Sequence, residues 1–217
     1  MKTRLDPMNP VHKTGPLTVL IPGTKWEGSG GWGSDNPLFA YGNGALSQNC
    51  GHDCTRLLRW CGGNNDRSRF EAAEILRVMI AAHHFGAGDK LNILAHSHGG
   101  NVALAASHRG VAHTIDNLIT MNKPLLTGDA YRAGDNVGNF LNISANGDRL
   151  QWAGSNAKLR GRWATDPHAV NLKVDTSSSV LKPHGALIWD DKIRESWWAW
   201  VMDQIQEACN RSSLDRG

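Results

Sequence analysis

Leu91-Asn92-Ile93-Leu94-Ala95-His96-Ser97-His98-Gly99-Gly100-Asn101-Val102-Ala103-Leu104-Ala105-Ala106 is the stretch that decides the fold. The apolar run Leu91–Ala95 stops at His96-Ser97-His98-Gly99-Gly100, and a small-residue helical run, 101–107, follows at once. That order reads as strand, sharp turn and helix, with a serine at the apex. Such a turn forces strained backbone angles on its central residue, so the positions two before and two after it must be small. Ala95 and Gly99 meet that need. The geometry lifts the Ser97 hydroxyl above the sheet and aims the His98 backbone N–H at an oxygen that turns negative during attack on an ester. A serine that only caps a helix needs no small residues on both sides.

Working outward, apolar strands and helices alternate. Leu17–Ile21 is a strand candidate closed by Pro22-Gly23-Thr24, and 28–33 is a glycine-rich loop containing Trp32. Residues 34–56 show no period, and 57–60 reads as a short strand. Ser68 and Glu71 have capping-box spacing, and Ala72, Ile75, Leu76, Met79, Ile80 and His83 recur at helical spacing to about His84. Further strands are expected over 117–121, 140–144 and 169–174, and a last helix over 190–207. This alternation predicts an α/β fold with a mostly parallel central sheet, helices on both faces and a short cap. The chain reads as one domain, 1–217, with 1–15 as a flexible arm and 34–66 as the cap or loop region.

Composition narrows the function. The chain has 217 residues, enough for one sizeable core, and a formal charge of +3 that is too small and dispersed for a nucleic-acid protein. No apolar run approaches the ~18 residues of a membrane span. Residues 1–15 lack the apolar segment of a signal peptide, so the expected location is cytoplasmic or reached by a signal-independent route.

A serine hydroxyl needs a base to take its proton, and in an open parallel sheet reactive groups collect at the carboxyl ends of the strands. Asp148 follows the 140–144 strand by a short turn and is the acid candidate, ahead of Asp135 and Asp166, which precede their strands. His184, after the last strand and before the last helix, is the base candidate, ahead of His168. The second oxyanion donor is expected from the loop after the first strand, at Thr24 with Lys25 as a near rival. Lys25, Trp26, Trp32 and His96 are candidate substrate contacts. His96-x-His98 is not continued by further metal ligands, so no metal or other cofactor is expected.

Cys50 and Cys54, with His52 between, allow free thiols, a local disulfide or half of a zinc site, though no second ligand pair appears. Trp197, Trp198 and Trp200 read as core rather than as a lipid-contact patch.

With these residues placed, the chain resembles the α/β-hydrolase superfamily, and within it the small bacterial lipases and esterases, some of which also carry Ala-His-Ser-x-Gly-Gly at the turn. The segment Arg59-Trp60-Cys61-Gly62-Gly63-Asn64, followed by Arg69 and Ala72-Ala73, is similar to lipase-like domains of bacterial antagonistic effectors. The resemblance implies a Ser97–Asp148–His184 triad, an oxyanion hole from Thr24 and His98, hydrolysis of a small-molecule or lipid ester, and no cofactor. Pro22-Gly23 stands where the family usually has His-Gly. A phospholipase-type effector, an amidase, peptidase or thioesterase, and a non-catalytic binding module on the same fold are the other readings.

Overall fold

The structure is a computed structural model and describes residues 14–24, 36–47, 54–156, 165–179 and 182–214, with side chains through 211. Six strands form one sheet: β1 (Leu17–Ile21), β2 (Thr55–Leu57), β3 (Leu91–His96), β4 (Ile115–Met121), β5 (Val137–Ala145) and β6 (Val170–Val174). Their spatial order is β2-β1-β3-β4-β5-β6, and every pairing is parallel. Chain order reverses direction between β1 and β3, so the crevice above their carboxyl ends is the topological switch point.

The central strands are buried and largely apolar because both faces are covered, and their polar residues pair across the sheet, Asn117 with Asn92 and Thr120 with Asn142. On one face α2 (Asp66–Ala81) and α3 (His98–His108) pack over Val19, Ile21, Ile93, Leu118 and Phe140. On the other, α5 (Pro183–Trp189) and α6 (Asp191–Leu214), together with α1 (Leu38–Asn43), cover Leu20, Leu94, Ile119, Leu141 and Ile143. Trp197 is fully buried, and its indole N–H donates to Leu187 O at 2.8 Å, pinning α6 to α5. Trp198 is buried beside it and Trp200 packs against the same core, as the sequence suggests.

Several boundaries differ from the sequence reading, each for a local reason. β2 is 55–57 rather than 57–60, because the chain leaves the sheet early to bring the Trp60 indole N–H onto Pro22 O at 2.9 Å. The cap of α2 is Asn65, whose Oδ1 accepts from Ser68 N at 2.9 Å, while Glu71 pairs with Arg67 instead of closing a capping box. The final helical region is two helices broken at Asp190, and α6 runs to 214 rather than 207. Two short helices, α1 and α4 (Arg149–Gly154), were too brief to show a period.

Cys54 is disulfide-bonded, which removes it from the zinc reading. Cys50 lies outside the described residues. No group of three or more metal-ligating side chains occurs among the described residues. No described helix is long and apolar enough to cross a membrane.

Candidate active site

Ser97 joins β3 to α3 with φ 54° and ψ −133°, a conformation that L-residues avoid. The strain is held from both sides: Ser97 N donates to Met121 O at 2.8 Å, and Gly100 N donates to Ser97 O at 3.0 Å. The hydroxyl makes no capping bond to α3, so it is not spent on the helix start. At Gly99 a Cβ would collide with the carbonyls of Ile21 and Pro22, which is why the position behind the turn has no side chain. Ala95, fully buried at the other side of the turn, tolerates its one methyl.

The loop after β1 closes on the same serine. A Cβ on Gly23 would stand 2.7 Å from Ser97 Cβ and 3.2 Å from its Oγ, so this backbone approaches the hydroxyl as only glycine permits. Thr24 follows and is half-buried. Lys25, Trp26 and Trp32 lie outside the described residues.

Asp148 and His184 meet at the carboxyl end of the sheet. Nδ1 of His184 donates to Asp148 Oδ2 at 2.7 Å, with the carboxylate 2% exposed and the imidazole 18% exposed. The other carboxylate oxygen caps α4, accepting from Leu150 N at 3.0 Å and Gln151 N at 3.1 Å. His184 lies in the first turn of α5, which Pro183 initiates, rather than in a free loop. With Nδ1 donating, Nε2 is left as the basic nitrogen. The rival residues take other roles. Asp135 is exposed, His168 is exposed, and Asp166 is buried against Lys123 at 2.9 Å.

His96 turns toward His184, with ring centroids 4.7 Å apart and Nε2 2.9 Å from the His184 carbonyl oxygen. Burial, followed by the nearby His184, lowers its pKa to about 3, so the ring is neutral and its N–H donates to that carbonyl. His98 is also kept neutral, its pKa lowered to about 4 chiefly by burial and next by the Arg69 charge. Arg69 Nη1 at 3.4 Å and Asn101 Nδ2 at 3.3 Å both face His98 Nδ1, which makes that nitrogen the acceptor.

Sequence reasoning missed the residues that support this frame. Arg69 falls on the buried stripe of α2 with Ala72, Ala73, Leu76 and Ile80, where a charge has no place unless paired. It is paired, donating to Tyr131 Oη at 2.9 Å, Asn64 Oδ1 at 3.1 Å and Asp66 Oδ1 at 2.7 Å. The Tyr131 and Arg69 bonds hold the Asp66 carboxyl below its ordinary range. Asn122 and Lys123, fully buried polar residues just past β4, stand at the strand end where functional groups gather, and that position was the available signal.

The fold matches solved structures of esterases and α/β hydrolases. Esterase B from Lactobacillus rhamnosis, solved with a C4-C4 tributyrin phosphonate, superposes with TM-score 0.57 and 14% identity over 96% of this chain and 80% of that one. MGS-MChE2, an α/β-hydrolase enzyme from the metagenome of lagoon sediments at Mar Chica, Morocco, gives 0.50 and 13% over 87% and 91%. A fungal esterase from Rhizomucor miehei gives 0.50 and 11% over 90% and 77%. No protein-family model matches the chain, and no curated protein matches it in sequence. At these identities the likeness is one of fold: a parallel six-stranded sheet of the α/β-hydrolase type.

Proposed function

We propose that this chain, which carries the α/β-hydrolase fold, is a serine carboxyl-ester hydrolase of lipase or esterase type working through an acyl-enzyme. Ser97 attacks the acyl carbonyl as His184 Nε2 takes the hydroxyl proton, and Asp148 holds the imidazole in the required tautomer and stabilises the imidazolium. The backbone N–H groups of Thr24 and His98 are assigned to the developing oxyanion. His184 then protonates the leaving alcohol, and water attacks the acyl-enzyme with His184 again as base. The mechanism uses no metal or organic cofactor, and the substrate is a small-molecule or lipid ester.

The observation that carries this reading is the 2.7 Å bond from His184 Nδ1 to Asp148 Oδ2 at the carboxyl end of the sheet, where Ser97 holds φ 54°. A bond donated from Nδ1 leaves Nε2 unprotonated, as a general base requires. The test is hydrolysis of p-nitrophenyl acyl esters of increasing chain length by the wild type and Ser97→Ala. Turnover by the wild type alone supports the proposal, and the chain-length optimum separates esterase from lipase. Equal rates for both proteins would count against it.

A further inference from the structure

The carbonyl oxygen of His184 has two lone pairs, and a separate side chain addresses each. His96 Nε2 approaches at 2.9 Å and Asn122 Nδ2 at 3.1 Å. The Asn122 amide also reaches Pro183 O at 3.2 Å. At its other end, Asn122 Oδ1 accepts from Ala145 N at 2.7 Å, and Asn122 N donates to Ile143 O at 2.8 Å. One residue, just past β4, thus ties the end of β5 to the first turn of α5. The first of these elements leads to Asp148, three residues beyond Ala145, and the second carries His184.

The backbone of Asn122 adds a second observation. Its φ is 50°, and Ser97 is the other non-glycine residue among those described with positive φ. Asparagine tolerates this region better than other side chains, but glycine tolerates it best. A turn alone would be served by glycine. The amide is what glycine lacks, and here all of its polar atoms are used in a side chain with no exposure to solvent.

We propose that Asn122, with His96 as the second donor to the same carbonyl, is a positioning residue that sets the His184 imidazole against Asp148. The proposal rests on the hydrolase reading above. Two short strand-end tethers hold the backbone of His184 at the distance the Nδ1–Oδ2 bond needs, so the imidazole does not have to be re-ordered in each turnover. The neutral state of His96 keeps its N–H on the carbonyl throughout the working pH range.

The test compares Asn122→Gly, which fits φ 50° and removes the amide, with His96→Phe, which keeps an aromatic ring and removes the donor. If one of them fails to fold, the other still answers. Three quantities are read on folded protein: the rate of Ser97 labelling by a fluorophosphonate, kcat and KM for an ester, and the deshielded proton resonance of His184 Nδ1–H. Expected for each variant is a labelling rate and kcat about 10–100-fold lower, with KM little changed and the proton resonance shifted or broadened. Wild-type labelling, kcat and resonance in either folded variant would overturn the clamp while leaving the hydrolase reading intact. So would a lowered melting temperature alone. A wild type that takes no label sinks the hydrolase reading instead, and the proton resonance still decides whether Asn122 holds His184.

Discussion

Asp148 divides its two oxygens between two tasks: Oδ2 accepts the hydrogen bond from His184 Nδ1–H at 2.7 Å, and Oδ1 caps α4 by accepting from Leu150 N and Gln151 N. The cap fixes the carboxylate plane, so the oxygen facing the histidine is oriented before any substrate arrives. Asparagine caps a helix as well as aspartate does, but cannot hold an imidazolium. Asp148→Asn is therefore expected to leave the melting temperature nearly unchanged while kcat falls by about 10⁴. Ester turnover beside a thermal melt checks both halves; an unchanged kcat would remove Asp148 from the reaction.

Gly23 is where the loop after β1 touches Ser97. A methyl there would stand 2.7 Å from Ser97 Cβ, so Gly23→Ala must push the loop off the serine. The expected result is kcat/KM lowered by about 10²-fold, since a shift of about 1 Å is enough for that loss. The stability cost should stay within the roughly 1–3 kcal/mol of an overpacked contact. Urea titration with kinetics separates the two effects.

The strand–turn–helix at Ser97 was legible because three signals coincide there: an apolar run, small residues on both sides of a serine, and a helical continuation. Asp148 was legible as a polar residue just past a strand end, and His184 as a histidine between the last strand and the last helix. The supports were not. Trp60, Arg69 and Asn122 act through hydrogen bonds to partners 38, 62 and 61 positions away, to Pro22, Tyr131 and Pro183 respectively, and no local period records such a pairing. Helices of six or seven residues, such as α4 and α5, span under two turns and leave no amphipathic pattern.

Lys123 and Asp166 form an ion pair at 2.9 Å, with side chains 2% and 6% exposed. Removing one partner strands the other charge in the interior. Lys123→Met or Asp166→Leu alone is expected to cost about 3–5 kcal/mol, whereas the two together should recover most of that loss. Denaturant unfolding of the three variants checks the cycle, and additive losses would contradict the pairing.

Acid should destabilise the fold through its two buried histidines. Both pKa values are lowered on folding, to about 3 for His96 and about 4 for His98, against 6.5 for the free side chain. Between those limits the unfolded chain binds more protons than the folded one, so stability is lost as pH falls below about 6.5. The slope reaches about 1.4 kcal/mol per pH unit for each histidine. His96→Phe should flatten the profile by one such contribution. Unfolding free energies measured from pH 4 to 7 would show it, and a profile as steep as wild type would contradict it.

If Ser97 is an activated nucleophile, as proposed, intact mass after exposure to a fluorophosphonate will register it. One phosphonyl adduct is expected on the wild type, none on Ser97→Ala, and sharply slowed labelling on Asp148→Asn. A folded wild type that takes no adduct, or a Ser97→Ala protein that labels equally well, would contradict it.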